Sequence, residues 1–215
     1  NRETVKVVLH EEFIPKEFLP TYNSMTLDMF IHKIPGLSER FLLFNDDMIV
    51  TNKIDKTKFF DGYKTKETME DRDLYKLDPT KCMMNYQKMW LHASNLAKRE
   101  FNEKESENLY WRTNHGISPL IKADIEYFTQ KHHEAIKNSI TQFRHTKNYV
   151  HWVFRYFTWK KNGMVQNGPN HEYLTFKDKD KLLNDLNNCK KYDTIVIQEY
   201  GFEDGDEKIV GIGLN

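Results

Sequence analysis

The run Phe41-Leu42-Leu43-Phe44 passes without a break into Asn45-Asp46-Asp47. Four consecutive apolar residues are strand-sized and too short for a buried helix. The polar triplet after them is made of turn formers. A chain that stops an apolar strand on two adjacent carboxylates has few folds open to it. In an α/β sheet such an end is delivered to the crevice where ligands bind. The flanks agree with that reading. Val5 to Leu9 reads as a short buried strand, and a polar loop with Pro15 and Pro20 follows. Asn23 or Ser24 can cap a helix whose apolar positions Leu27, Phe30, Ile31 and Ile34 recur at helical spacing, and Pro35-Gly36 ends it. Strand, helix, strand is the grammar of an α/β sheet.

Further along, residues 51–81 are rich in Lys, Asp and Thr without periodicity and read as an irregular, exposed insertion. Met83 to Phe101 predicts a helix with Met84, Met89, Leu91 and Leu96 near one face, and residues 102–107 a loop. A helical stretch is expected over Leu120–Phe128, Glu134–Ile140 and the aromatic segment Tyr149–Trp159. Asn162 to Asn170 reads as a linker. Glu172–Phe176 is expected as a strand, Asp180–Asn188 as a helix and Thr194–Ile197 as a buried strand.

Composition excludes several classes. The chain has 215 residues, enough for one large domain or two small ones. Lys+Arg and Asp+Glu both number 32, and without a basic excess no nucleic-acid partner is expected. Aromatics at 13% argue against wholesale disorder. No apolar run approaches a membrane span, and no leader is visible. Cys82 and Cys189 stand far apart, which excludes a disulfide framework or a Cys-based zinc site and fits a reducing, cytoplasmic location.

Three groups of residues could carry chemistry. Asp46 and Asp47 can hold a hard divalent cation, Mg²⁺ or Mn²⁺, of the kind that neutralises a nucleotide diphosphate; the same pair also suits a solvated turn. His115 sits in Asn114-His115-Gly116-Ile117-Ser118-Pro119, a Gly/Pro loop before a helix and a place for a general base or a phosphate contact; a plain surface histidine fits too. Arg144, in Gln142-Phe143-Arg144-His145 at the expected start of the aromatic helix, could grip phosphate with two N–H groups or pair with an acid. His132, His133 and His151 read as structural, the aromatic stripe of 149–159 as core, and Lys160-Lys161 as a solvated helix end.

The order and wording of these segments are more specific than any one of them. Phe18-Leu19-Pro20-Thr21-Tyr22-Asn23-Ser24, then His32-Lys33-Ile34-Pro35-Gly36-Leu37-Ser38-Glu39-Arg40-Phe41, then Phe44-Asn45-Asp46-Asp47 together resemble the second conserved region of the Stealth family. That family includes bacterial capsular polysaccharide phosphotransferases and the animal N-acetylglucosamine-1-phosphotransferase of lysosomal enzyme targeting. His115 to Lys122 and Phe143-Arg144-His145 resemble its third region. Thr194 to Glu199 is similar to the fourth, with Gln198-Glu199 standing where the family often has Asn-Asp.

The resemblance implies an α/β, nucleotide-sugar transferase-like (GT-A-like) sheet core with a helical insertion, forming a single Stealth-type phosphotransferase domain over residues 1–215. The family's first conserved region, which begins the nucleotide-binding fold, has no counterpart in this sequence, and the chain is expected to be incomplete without it. A sheet edge left open near Val5 to Leu9 would invite self-association. The implied reaction moves a sugar-1-phosphate from a nucleotide sugar, typically a UDP-hexose, to a hydroxyl of a capsular or cell-surface glycan. A phosphodiester forms and a nucleoside monophosphate leaves. In that reading Asp46 and Asp47 hold Mg²⁺ or Mn²⁺, and Asp47, His115 and Arg144 are catalytic. Asn23, Ser24, Asn45 and Lys122 bind substrate. A cytoplasmic enzyme at the inner face of the membrane, where lipid-linked acceptors are built, is the implied setting. Two alternatives stand beside it: a metal-dependent glycosyltransferase that moves sugar without phosphate, and a non-catalytic glycan-binding remnant.

Overall fold

The computed structural model describes residues 5–67, 75–76, 85–107, 109–110 and 115–198. In chain order the elements are helix α1 (Ser24–Phe30), strands β1 (Arg40–Leu43), β2 (Met48–Val50), β3 (Phe60–Asp61), β4 (Lys64–Glu67) and β5 (Tyr75–Lys76), helix α2 (Asn85–Glu100), strands β6 (Leu109–Tyr110) and β7 (Ser118–Ile121), helices α3 (Lys122–Lys131), α4 (His133–Ser139) and α5 (Trp152–Asn162), strands β8 (Met164–Gln166) and β9 (His171–Thr175), helix α6 (Lys179–Asn187) and strand β10 (Thr194–Gln198). The result is a mixed α/β chain in two compact units. One comprises residues 1–41, 71–112 and 120–162, the other 42–70, 113–119 and 163–215. The chain crosses between them inside β1 and again at β7.

The first unit is helical. The side chain of Asn23 caps α1 by accepting the Met25 N–H at 3.1 Å, and a 3-10 turn over Ile31–Lys33 extends that helix toward Gly36, whose φ of +79° favours glycine. In α5, every residue from Trp152 to Thr158 is buried, so this helix is covered on all sides. Phe157 lies 5.1 Å from Phe128 of α3, ring to ring, and Trp152 stacks on Trp90 of α2 at 4.6 Å. Each such ring contributes about 1.5–3 kcal/mol through burial. Asp124, 2% exposed at the start of α3, is neutralised by Lys161 and accepts hydrogen bonds of 2.9 Å each from Thr158 and Asn162.

The second unit carries two three-stranded sheets. In one, β10 is central: it runs parallel to β9, with Val196 opposite Tyr173, and antiparallel to β2, with Ile195 opposite Ile49. The link between β9 and β10 is α6, capped by Asp178, and its Leu182 and Leu186 pack on Leu174, Phe176 and Ile195. In the other sheet β4 pairs antiparallel with β3 and parallel with β8.

Several expectations need correction. Val5 to Leu9 is no strand: Val5 and Val7 are 74% and 79% exposed, because among the described residues no strand pairs with them. The expected sheet edge there is absent with it. The insertion read into 51–81 contains β3 and β4; Thr65 and Glu67 of β4 are buried, as is Phe59 just before β3. Leu120 and Ile121 end strand β7 rather than begin a helix. Residues 149–151 precede α5, and β8 lies inside the expected linker. Met83 and Met84 fall outside the described residues. Strands β1, β9 and β10 and helices α2 and α6 lie where the sequence predicts them, within a few residues.

Candidate functional site

The turn after β1 is built by its own residues. The Met48 N–H donates to the Asn45 carbonyl at 3.3 Å, which closes Asn45-Asp46-Asp47-Met48 as a β-turn. The Ile197 N–H of β10 donates to the Asp47 carbonyl at 3.0 Å and ties the turn to the sheet. Asp46, at the tip, is exposed. The Asp47 side chain is drawn inward. Its Oδ2 accepts a hydrogen bond from the Gln198 amide, and its Oδ1 is buried with no hydrogen-bond partner. A buried carboxylate oxygen left unpaired costs roughly 1–3 kcal/mol or more, so its retention points to a ligand that supplies the missing partner.

His115 joins this turn from 70 residues away. Its Nε2 lies 3.4 Å from the Asn45 amide nitrogen, and its Nδ1 lies 3.8 Å from Asp47 Oδ2. With the amide donating, Nε2 accepts and the ring proton sits on Nδ1, toward the carboxylate. Tyr173 of β9 meets the His115 ring edge-on at 5.9 Å. Gly116 fixes the loop by its lack of a side chain, because a Cβ there would fall 2.7 Å from the ring of His171, which is itself bonded to Thr194.

This unit therefore assembles Asn45, Asp47, His115 and Gln198 from four chain positions. The expected site residues it unites are Asn45, Asp47 and His115. Gln198, Tyr173 and His171 complete the group. His171 and Tyr173 share one face of β9 by the period of two, the face opposite the buried Leu174, and that alternation was their only sequence signal. Glu199 and Asn114 lie outside the described residues.

Mg²⁺ commonly keeps several waters and takes one or two protein carboxylates plus substrate phosphates. The residues here fit that pattern. Asp47 offers a buried, unpartnered Oδ1 and Asp46 an exposed carboxylate next to it. No group of three or more His, Cys, Asp or Glu side chains able to hold a metal occurs among the described residues, so a protein-only cage is not the fit.

The first unit holds the other expected residues. Asn23 is 2% exposed, and its amide nitrogen donates to Thr141 O at 3.2 Å and Asn148 Oδ1 at 3.1 Å while its oxygen caps α1. Its polar atoms are committed to the scaffold. Ser24 is exposed, and its Oγ accepts from Arg144 Nη2 at 3.0 Å. Arg144 stands in the loop before α5, not at the helix start, and is exposed. Lys122 begins α3, donating its N–H to Glu39 O at 2.8 Å, with its ammonium 3.7 Å from Glu126. His132 pairs with Glu100 at 2.9 Å and His151 with Asp28 at 3.1 Å, both within the scaffold.

Comparison with known proteins adds an independent line. Residues 1–68 match the family model described as Stealth protein CR2, conserved region 2. A protein named capsular polysaccharide phosphotransferase from Streptococcus thermophilus is 50% identical over 66 residues, 31% of this chain and 28% of that protein. One of the same name from Actinobacillus suis is 30% identical over 142 residues, covering 63% of this chain and 36% of its own length. Another from Neisseria meningitidis is 33% identical over 134 residues, 62% of this chain and 36% of that protein. The matched region spans well under half the length of these curated relatives.

Proposed function

We propose, from the match of residues 1–68 to the Stealth conserved-region-2 model, that this chain is the phosphotransferase portion of a capsule-building enzyme. The proposed reaction passes a sugar-1-phosphate from a nucleotide sugar, a UDP-hexose by preference, to a glycan hydroxyl. The observation that carries the reading is the pairing of His115 with an Asp47 whose Oδ1 is buried and unpartnered.

Asp46 and Asp47 would hold Mg²⁺ or Mn²⁺, which when bound neutralises the diphosphate of the donor. Gln198 holds Asp47 by Oδ2 and so aims Oδ1. The acceptor hydroxyl displaces the Asn45 amide from His115 Nε2 and gives its proton to that nitrogen as its oxygen attacks the sugar-bearing phosphorus; the bond from that phosphorus to the bridging oxygen of the diphosphate breaks, and the electron pair leaves with UMP. Asp47, on the Nδ1 side, keeps the ring in the tautomer whose Nε2 accepts and steadies the imidazolium that forms. Such a base contributes about 10²–10⁴-fold. Arg144, with Ser24 already on one nitrogen, keeps further N–H donors for a phosphate. Lys122 is a further cation of the first unit, and the side chain of Asn23 is bonded within that unit's scaffold. The GT-A-like character of the fold is part of this proposal, supported by the parallel β9–α6–β10 crossover. No helix among the described residues is long and apolar enough to cross a membrane. Action on a lipid-linked acceptor at the cytoplasmic face of the membrane is part of the same proposal.

The test is to incubate this chain, and a version extended upstream, with a panel of UDP-hexoses, glycan acceptor and Mg²⁺ or Mn²⁺. UMP is the expected product. UDP identifies a glycosyltransferase that moves sugar alone, and no turnover from either protein leaves a glycan-binding remnant. Gly116→Ala gives a second check. The new methyl collides with the His171 ring at 2.7 Å. If the loop yields, His115 shifts, and UMP release should fall about 10- to 100-fold. The double variant Gly116→Ala/His171→Ala should recover most of the loss.

A further inference from the structure

Two large rings stand exposed where nothing in the scaffold requires them. Tyr22 is 70% and Phe143 63% exposed, yet their rings stack at 5.5 Å with planes 16° apart. The pair is held from beneath. The Tyr22 N–H donates to Gln142 O at 2.9 Å. Thr141 Oγ1 donates to Phe143 O at 2.7 Å, and Asn148 Nδ2 donates to Thr141 Oγ1 at 2.8 Å and to Ser139 O at 2.6 Å. Asn23 and Asn148, each 2% exposed, are the buried hub of this network. A display loop on so rigid a base is the usual design of a binding surface.

Two exposed cations follow Phe143 closely in the chain. Arg144 follows Phe143 directly; Ser24 takes one of its donors, and no carboxylate pairs with it among the described residues. Lys147, also exposed, lies three residues on. Aromatic faces receive the C–H faces of sugar rings, and a guanidinium receives phosphate oxygens in a fork. The platform is open and exposed rather than concave. A small donor molecule prefers an enclosing cleft, whereas a polymer can run across an open surface.

We propose that Tyr22, Phe143 and Arg144 form a subsite for the phosphodiester-linked glycan, a hexose ring lying on the aromatic pair and its phosphate on Arg144. The proposal rests on the transferase reading only for the identity of the polymer. Binding of a synthetic phosphodiester-linked hexose trimer to the full chain, followed by saturation-transfer NMR without turnover, tests it. Tyr22→Ala and Phe143→Ala should each weaken the trimer about 5- to 10-fold, and Tyr22→Phe, which keeps the ring, should stay within about twofold. Arg144→Gln should reduce trimer binding to that of the matching neutral trisaccharide. UDP-glucose and inorganic phosphate serve as competitors. Equal trimer binding by the alanine variants overturns the proposal, as does displacement of the trimer by inorganic phosphate or UDP-glucose at matching concentration, which marks a small-anion or donor site. Ring-dependent trimer binding without UMP release sinks the transferase reading and leaves the subsite standing. UMP release with unchanged binding in the alanine variants does the reverse.

Discussion

Asp47→Ala is expected to lower nucleoside monophosphate release by at least about 10²-fold, in the range of losing one main electrostatic stabiliser, while the fold survives. One open ligand position and two contacts go together. The buried Oδ1 that lacks a protein partner disappears, and with it an oxygen for the donor's cation. The Gln198 amide loses its acceptor, and the acid 3.8 Å from His115 Nδ1 is gone. The backbone bonds of the turn remain, because Met48 and Ile197 donate to carbonyls rather than to the Asp47 side chain. An unchanged thermal midpoint beside the collapsed rate is therefore the expected pair of measurements. Asp46→Ala should give a loss of the same order by a simpler route, since that exposed carboxylate can act only through what it binds. Full activity in Asp47→Ala with excess chelator present would remove both the cation and its ligand from the mechanism.

How far the sequence foretold this site depends on how local each signal is. The β1 end and its acidic turn were legible because an apolar run and its turn formers are adjacent. Helices α2 and α6 were legible because their apolar positions repeat within a single element. The sheet of β3, β4 and β8 was not. In Lys64-Thr65-Lys66-Glu67 the buried positions are Thr65 and Glu67, so the alternation is written in polar residues, and the partner strand lies about a hundred residues on. Val5 to Leu9 misled for the opposite reason. Its β-branched residues suit a strand, but a strand needs a partner for its backbone groups. The meeting of Asp47 with Gln198 spans 151 residues, and no periodicity predicts such a contact. Family resemblance pointed to both ends of that contact, and the fold joins them. The bonds of the Asn23 amide to Thr141 and Asn148 were beyond the same guide, because these partners lie 118 and 125 residues away.

His32 should make the chain sensitive to acid in a way a single substitution can remove. It is 6% exposed in the first unit, and its Nδ1 is buried without a hydrogen-bond partner. It lines a cavity of about 250 Å³ with apolar walls that include Phe18, Met29, Phe30 and Ile136. Burial, reinforced by the charges of Lys33 and Lys122, lowers its pKa from 6.5 to about 4. Glu17, Lys33, Glu126, His133 and Lys137 also line the cavity. The sign follows from the unfolded chain, which binds the proton at pH values where the folded chain refuses it. The stability tied to His32 is complete above about pH 6.5 and drains away as pH falls toward about 4, where the folded ring itself takes the proton. The full drop corresponds to about 3 kcal/mol, at 1.36 kcal/mol per pH unit. Urea unfolding at pH 7, 5.5 and 4.5 should show the native chain losing stability relative to His32→Phe and to His32→Gln, neither of which titrates in this window. Because the other acids and histidines are common to all three proteins, the difference isolates this ring. Parallel pH profiles for the three would mean that His32 takes up its proton as readily in the folded chain as in the unfolded one.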